Sequence, residues 1–170
     1  MKMQDHRTNF ARCQRGAAGA EMALIIPLLS LLMFGSLELG NYFYSQHVVT
    51  KAVRDGARFA SRAFPIDVSC ATLPGGPVGI TRTMTRTGQV SGGTARLAGW
   101  TDDLSVSVVP VPYTNLNLVG SGIYKGRDTN ICTIRVTARV KYVPILKTLG
   151  LANTGDLYLN ASSEAPVVGI

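Results

Sequence analysis

The sequence is short of the residues that most catalysis uses. Its 170 positions hold two histidines, ten acids and three cysteines. His6 stands in a basic N-terminal head and His47 just past a long apolar run, so nothing beyond residue 47 supplies the base of a histidine triad. No phosphate-cradling glycine loop and no cluster with metal-ligand spacing occurs. Asp128-x-Asn130 is a fragment of a calcium loop without its bidentate acidic end. Asp102-Asp103, after Trp100, fits a turn ahead of a strand better than an acid pair or a cation site. An enzyme is therefore not expected, nor a metal or a cofactor. Charge is also missing over one stretch, since Met22 to Leu37 carries none. That gap excludes a solvated surface helix there.

What fills the gap organises the N-terminal third. The head, Met1 to Arg15, sets Lys2, Arg7, Arg12 and Arg15 against Asp5. The apolar run AAGAEMALIIPLLSLLMFGSLELGNYFY follows, and Glu21 and Glu38 are its only charges. A bilayer core of about 30 Å needs roughly 20 helical residues, and Ala20 to Tyr44 supplies them. Tyr42, Phe43 and Tyr44 suit the membrane–water boundary. The run is too long for a secretory signal and lacks a small-x-small site at its end, so it is expected to be retained. Pro27 costs a soluble helix about 3 kcal/mol but is tolerated in membrane helices. Glu21 and Glu38 lie 17 positions apart, about 26 Å along a helix, which puts one acid near each membrane face. Headgroup contact is the simple expectation for Glu38, and a contact with a partner helix the alternative.

Past Tyr44 the helix pattern continues with a polar side. Val49, Val53, Gly56, Ala60 and Ala63 recur at steps of three and four, with Ala52 and Phe59 beside them. Gly56 and Ala57 permit close approach of another backbone. Lys51, Asp55, Arg58 and Arg62 form the opposite side, Asp55 being placed to pair with Lys51 or Arg58. Pro65 ends the helix.

Beyond it, Ile66 to Gly79 reads as Gly/Pro-rich loop, Ile80 to Thr87 as a strand, and SGG at 91–93 as a turn. Leu104 begins a strand that should stop before Pro110, and Pro112 to Asn130 is loop-like. Ile131 to Val143 alternates most clearly, with Cys132, Ile134, Val136, Ala138, Val140 and Tyr142 on one face. Thr133, Arg135, Thr137, Arg139 and Lys141 take the other face, which has no interleaved aromatic, so nucleic acid is not expected as a partner. Leu157 to Ser163 alternates likewise. The expected class is α+β: one long helix carrying one small antiparallel sheet.

Two segments carry a family resemblance. RCQRGAAGAEMAL resembles a type IV prepilin cleavage site, in which a basic leader ends in Gly and Glu is the fifth residue after the cut. The Gly is Gly16, the new N-terminus Ala17 and the Glu Glu21. FGSLELG at 34–40 and AVRDGARFAS at 52–61 resemble the N-terminal signature of the TadE-like proteins of tight-adherence (Flp-type) pilus systems. TGQVSGGTARLAGWTDDLSVSV and IRVTARVKYVPILKTLGL look like that family's C-terminal strands. The resemblance implies a pilin-like fold and a pseudopilin or minor pilin that takes part in pilus assembly at the inner membrane. Its implied partners are a prepilin peptidase, other pilin-like subunits, the assembly platform and membrane lipid. Met22 stands where the small major Flp pilins carry Tyr, and the chain is far longer, which argues against the major subunit. An amine on Ala17 would lie one turn from Glu21, so a neighbouring subunit's carboxylate could neutralise it and fix helix register. Glu38 is the second register candidate.

The resulting plan has a cytoplasmic leader at 1–16, a membrane helix at 17–45, its periplasmic continuation at 46–64 and an exported domain at 65–170. Of the formal charge of +7 the leader holds +3, so the mature chain is only weakly basic. Lys and Arg nearly tie across the span, and the basic head sets the N-terminus in the cytoplasm. Cys13 leaves with the leader. Cys70 and Cys132, both exported, form either a disulfide contributing about 4 kcal/mol or a pair of buried thiols. The competing plan is an uncleaved signal anchor whose exported domain binds a ligand or an envelope partner.

Overall fold

The computed structural model describes residues 14–64, 70, 73–114, 130–148, 150 and 156–168. The basic head before Gln14 and most of the loop expected between Pro112 and Asn130 lie outside the described residues. By contacts the chain divides into two units, Met1–Gly40 and Asn41–Ile170.

The first unit is the apolar part of helix α1, which spans Gln14–Ala63 and includes Pro27. It is long and apolar enough to cross a membrane, and its apolar window is nowhere buried within the protein. Leu24 is 79% exposed and Leu31 70%. A surface of that kind is stable against lipid or other helices rather than water.

The second unit folds around the rest of α1. Strands β1 (Val106–Thr114), β2 (Asn130–Lys141) and β3 (Tyr158–Pro166) form an antiparallel sheet in the order β1-β2-β3. β2 is central, pairing Val106 with Ala138 on one side and Leu159 with Val140 on the other. Its alternation sends Ile134, Val136, Ala138 and Val140 into one core with Val49, Ala52, Val53, Ala57 and Ala60 of α1. Trp100 and Phe64 are its largest fully buried members, each worth about 1.5–3 kcal/mol of apolar burial. α1 also runs beside β3. Gln46 Nε2 donates to the Asn160 carbonyl at 2.9 Å, and Val168 N–H donates to the Ser61 carbonyl at 3.0 Å.

Several expectations need correction. Gly75–Thr87 is a helix, α2, in place of a loop followed by a strand. Thr alternates with other residues here at period two, but burial follows helical spacing, at Thr81 and Thr85. The four threonines donate their hydroxyls to carbonyls one turn back: Thr81 to Pro77, Thr83 to Gly79, Thr85 to Thr81 and Thr87 to Thr83. Satisfied in this way, two of them can be buried without penalty. Pro77 sits in the first turn, where its missing N–H costs nothing. Gly88 closes the helix in the left-handed conformation, φ 83°, and donates its N–H to the Met84 carbonyl.

β1 does not stop before Pro110 but passes through Pro110 and Pro112, which stand opposite Ile134 and Cys132. It is an edge strand, and an edge admits proline where the nitrogen faces away from the ladder. β3 begins at Tyr158, and Leu157 is 48% exposed outside it. Residues 88–105, grouped by resemblance with the strands, hold bends and a 3₁₀ turn at Asp103–Ser105. In that turn the Asp102 carboxylate accepts from Leu104 N–H, as the turn reading required. A short helix, α3 (Ile145–Thr148), lies between β2 and β3.

Candidate functional site

Gly16, Ala17 and Glu21 all fall within α1, so the cleavage-like motif lies at the start of the long helix. Glu21 is exposed and Glu38 half-buried. The exposure of Gly16 and Ala17 lies outside what is described.

The segment AVRDGARFAS is where α1 receives the domain. Ala52, Val53, Gly56, Ala57, Ala60 and Ser61 are buried, whereas Phe59 and Ala63, expected in the stripe, are half-exposed. The stripe is therefore rotated toward Ala57 and Phe64. At Gly56 the approach is close: a β-carbon there would lie 2.0 Å from Thr85 Oγ1. Glycine at 56 is thus a notch for α2. Asp55 pairs with Arg96, Nη1 to Oδ2 at 2.9 Å, and not with Lys51 or Arg58. Arg86 pairs with Asp103. Neither pair shows in the local sequence, because its members lie 41 and 17 positions apart. Acid and base in this segment fasten the loop after α2 to the stalk. An open groove of about 570 Å³ beside Asp55, Arg58, Phe59, Arg62 and Met84 offers walls of both charges and an apolar side.

The other end of the docking surface lies where the apolar run stops. Asn41 Nδ2 donates to Tyr142 Oη at 2.8 Å, and the Tyr42 and Tyr142 rings meet edge-on with centroids 5.3 Å apart. At the opposite end of β2, Cys132 comes near Cys70, with Cα atoms 5.5 Å apart, a separation typical of disulfides.

The outer face of the sheet differs from its expected description. Tyr158 of β3 lies under Arg139, whose guanidinium carbon is 4.2 Å from the ring centroid. Tyr113 of β1 is exposed as well. An aromatic is therefore interleaved with the basic row, supplied from a neighbouring strand. Acids neutralise part of that row: Arg135 pairs with Glu164, and Lys141 Nζ lies 2.7 Å from Asp156. The hydrogen bond from Lys141, and then its charge, lower the Asp156 pKa, and the same contact raises that of Lys141. Among the described residues no group of three His, Cys, Asp or Glu could hold a metal ion.

Residues 16–58 match the family model described as TadE-like protein. The match begins at the motif glycine, follows the apolar run and ends within the segment that receives α2. No curated protein and no solved structure matches the chain.

Proposed function

We propose that this chain is a pseudopilin or minor pilin of a tight-adherence (Flp-type) pilus system, processed by a prepilin peptidase between Gly16 and Ala17. The observation that carries the reading is the coincidence of the TadE-like match at 16–58 with a helix whose apolar part is uncovered by its own domain. A helix of that kind suits both a bilayer and a bundle of similar helices. The N-terminus lies in the cytoplasm and the domain in the periplasm. Cleavage creates an ammonium on Ala17, one turn from Glu21. Between adjacent subunits, Glu21 of one neutralises the amine of the next, and a subunit placed out of register leaves both charges bare in low dielectric. The assembly platform and other pilin-like subunits are the partners, and the segment around Gly56 holds α2 close to the part of α1 that belongs to the domain.

Intact mass of the membrane-extracted protein tests this reading. A mass lacking residues 1–16, with Ala17 at the N-terminus, supports it, as does loss of pili when the chain is deleted. Full-length protein in cells with an active prepilin peptidase defeats it and favours the uncleaved anchor.

A further inference from the structure

The connection between β2 and β3 reads YVPILKTLGLANTGDL, residues 142–157. Surface connections are usually polar, yet this one carries Val143, Ile145, Leu146, Leu149, Leu151 and Leu157. Its position is fixed by two contacts at its start. Tyr142 is held by Asn41 and Tyr42, in the last turn of the apolar run. Tyr142 N–H also donates to the Leu157 carbonyl at 2.9 Å, which closes the connection at the same level. The two described ends of the connection, Tyr142 and Leu157, thus lie beside Asn41 and Tyr42, where the α1 sequence passes from apolar to polar. Val143 and Ile145 are 43% and 44% exposed, and Tyr44 of α1 is 67% exposed beside them. These three line one shallow pocket of about 260 Å³ together with Leu159 and Lys141. Lys141 lines this pocket and pairs with Asp156, and Lys147 of α3 is a further cation close enough to act on Asp156, so the three together carry a net positive charge.

We infer that the described start of this connection, residues 142–147, is a membrane seat, on which the exported domain rests against an anionic phospholipid surface. Val143 and Ile145 enter the boundary between headgroups and acyl chains, Tyr44 sits at headgroup level, and Lys147 meets the phosphates. The inference rests on α1 spanning the bilayer and goes beyond pilus assembly, because it concerns where the domain stands while still in the membrane. Lipid is chosen as occupant for two reasons. Asn41 and Tyr42, which hold Tyr142, stand at the end of the apolar run in the chain, and the net charge of the loop complements anionic headgroups.

Photocrosslinking of the full chain tests it. Benzoylphenylalanine replaces Ile145 in one variant, Leu29 in the spanning run in a second, and Tyr113 at the far end of β1 in a third. Each is reconstituted in vesicles of phosphatidylcholine with phosphatidylglycerol and irradiated, and protein–lipid adducts are counted by intact mass. Adducts at 145 and 29 with none at 113 are expected. In the Lys147→Gln background, the preference of position 145 for anionic over neutral vesicles should fall about fivefold, the effect of one cation at such a surface. Adducts at 29 without adducts at 145 overturn the seat and leave the span intact. Absence at both positions removes the span and the seat together. Equal adducts at 113, or a crosslink from 145 to a second protein chain, also overturn the proposal. An unchanged preference in Lys147→Gln overturns the anionic surface as the occupant.

Discussion

Gly56→Ala adds one methyl group at the tightest point between α1 and α2. Its β-carbon would lie 2.0 Å from Thr85 Oγ1 and 3.2 Å from Thr85 Cβ. The first distance is far inside contact, so either α2 moves away or Thr85 turns. Turning breaks the 2.7 Å bond from its hydroxyl to the Thr81 carbonyl in a buried site, and a buried hydroxyl left unpaired costs about 1–3 kcal/mol. Displacing α2 costs about as much through lost packing. Against this, alanine gains about 1 kcal/mol of helix propensity over glycine. With the structural cost near the top of its range, the net loss is about 2 kcal/mol. That corresponds to a fall of about 8 °C in Tm for a domain of this size. Near-UV circular dichroism of the detergent-solubilised chain, dominated by buried Trp100, follows the transition. Thr85→Ala removes the clashing oxygen and leaves only the 3.2 Å contact, so Gly56→Ala made in that background should cost little. The coupling between the two sites is then about 2 kcal/mol. A Gly56→Ala protein at least as stable as the original refutes the notch. An equal loss with and without Thr85 refutes its assignment to α2.

Gly16→Ala should yield full-length protein by intact mass, because the peptidase site needs a residue without a side chain there; a mature N-terminus at Ala17 in this variant refutes the site. Glu21→Gln should be cleaved and inserted yet fail to assemble pili, since an unpaired buried ammonium costs about 3–5 kcal/mol. Glu38→Gln, expected to meet headgroups, should assemble normally, and the reverse pattern moves the functional acid to the other end of the run. Cys70 and Cys132 should resist thiol labelling in the denatured, non-reduced mature protein, and full labelling of both shows buried thiols. For Lys141–Asp156, the lowered Asp156 pKa gives stability that is present above the carboxylate's unfolded value, 3.8, and lost as pH falls through its folded value. The raised Lys141 pKa gives stability present below 10.5 and lost as pH rises through its own folded value. Asp156→Asn should therefore lower Tm by a small, constant amount at neutral pH, with the difference vanishing in strong acid; a difference that changes between pH 6 and 8 points to another group.

The membrane-length run, the turn at Asp102, the central strand and the inward face of that strand are legible from residue order alone. Each is a local pattern: an uncharged stretch needs no partner to be read, and β2 is central, so its two faces experience opposite solvents along its whole length. α2 was not, because TRTMTRT satisfies strand alternation and helical spacing equally until the hydroxyls find carbonyls one turn back and Gly56 opens a notch for Thr85. Pro110 and Pro112 mark the end of a strand by rule, and only the sheet order makes them edge residues that can stay within one. Asp55 had two bases within one helical turn and bonded instead to Arg96, 41 positions away. Chain folding brought that guanidinium to a half-buried place beside α1, while Lys51 and Arg58 kept their exposure to water. Local sequence determined which segments are apolar and which alternate; the tertiary structure decided which polar group meets which, because desolvation at the α1–α2 contact leaves few partners within reach.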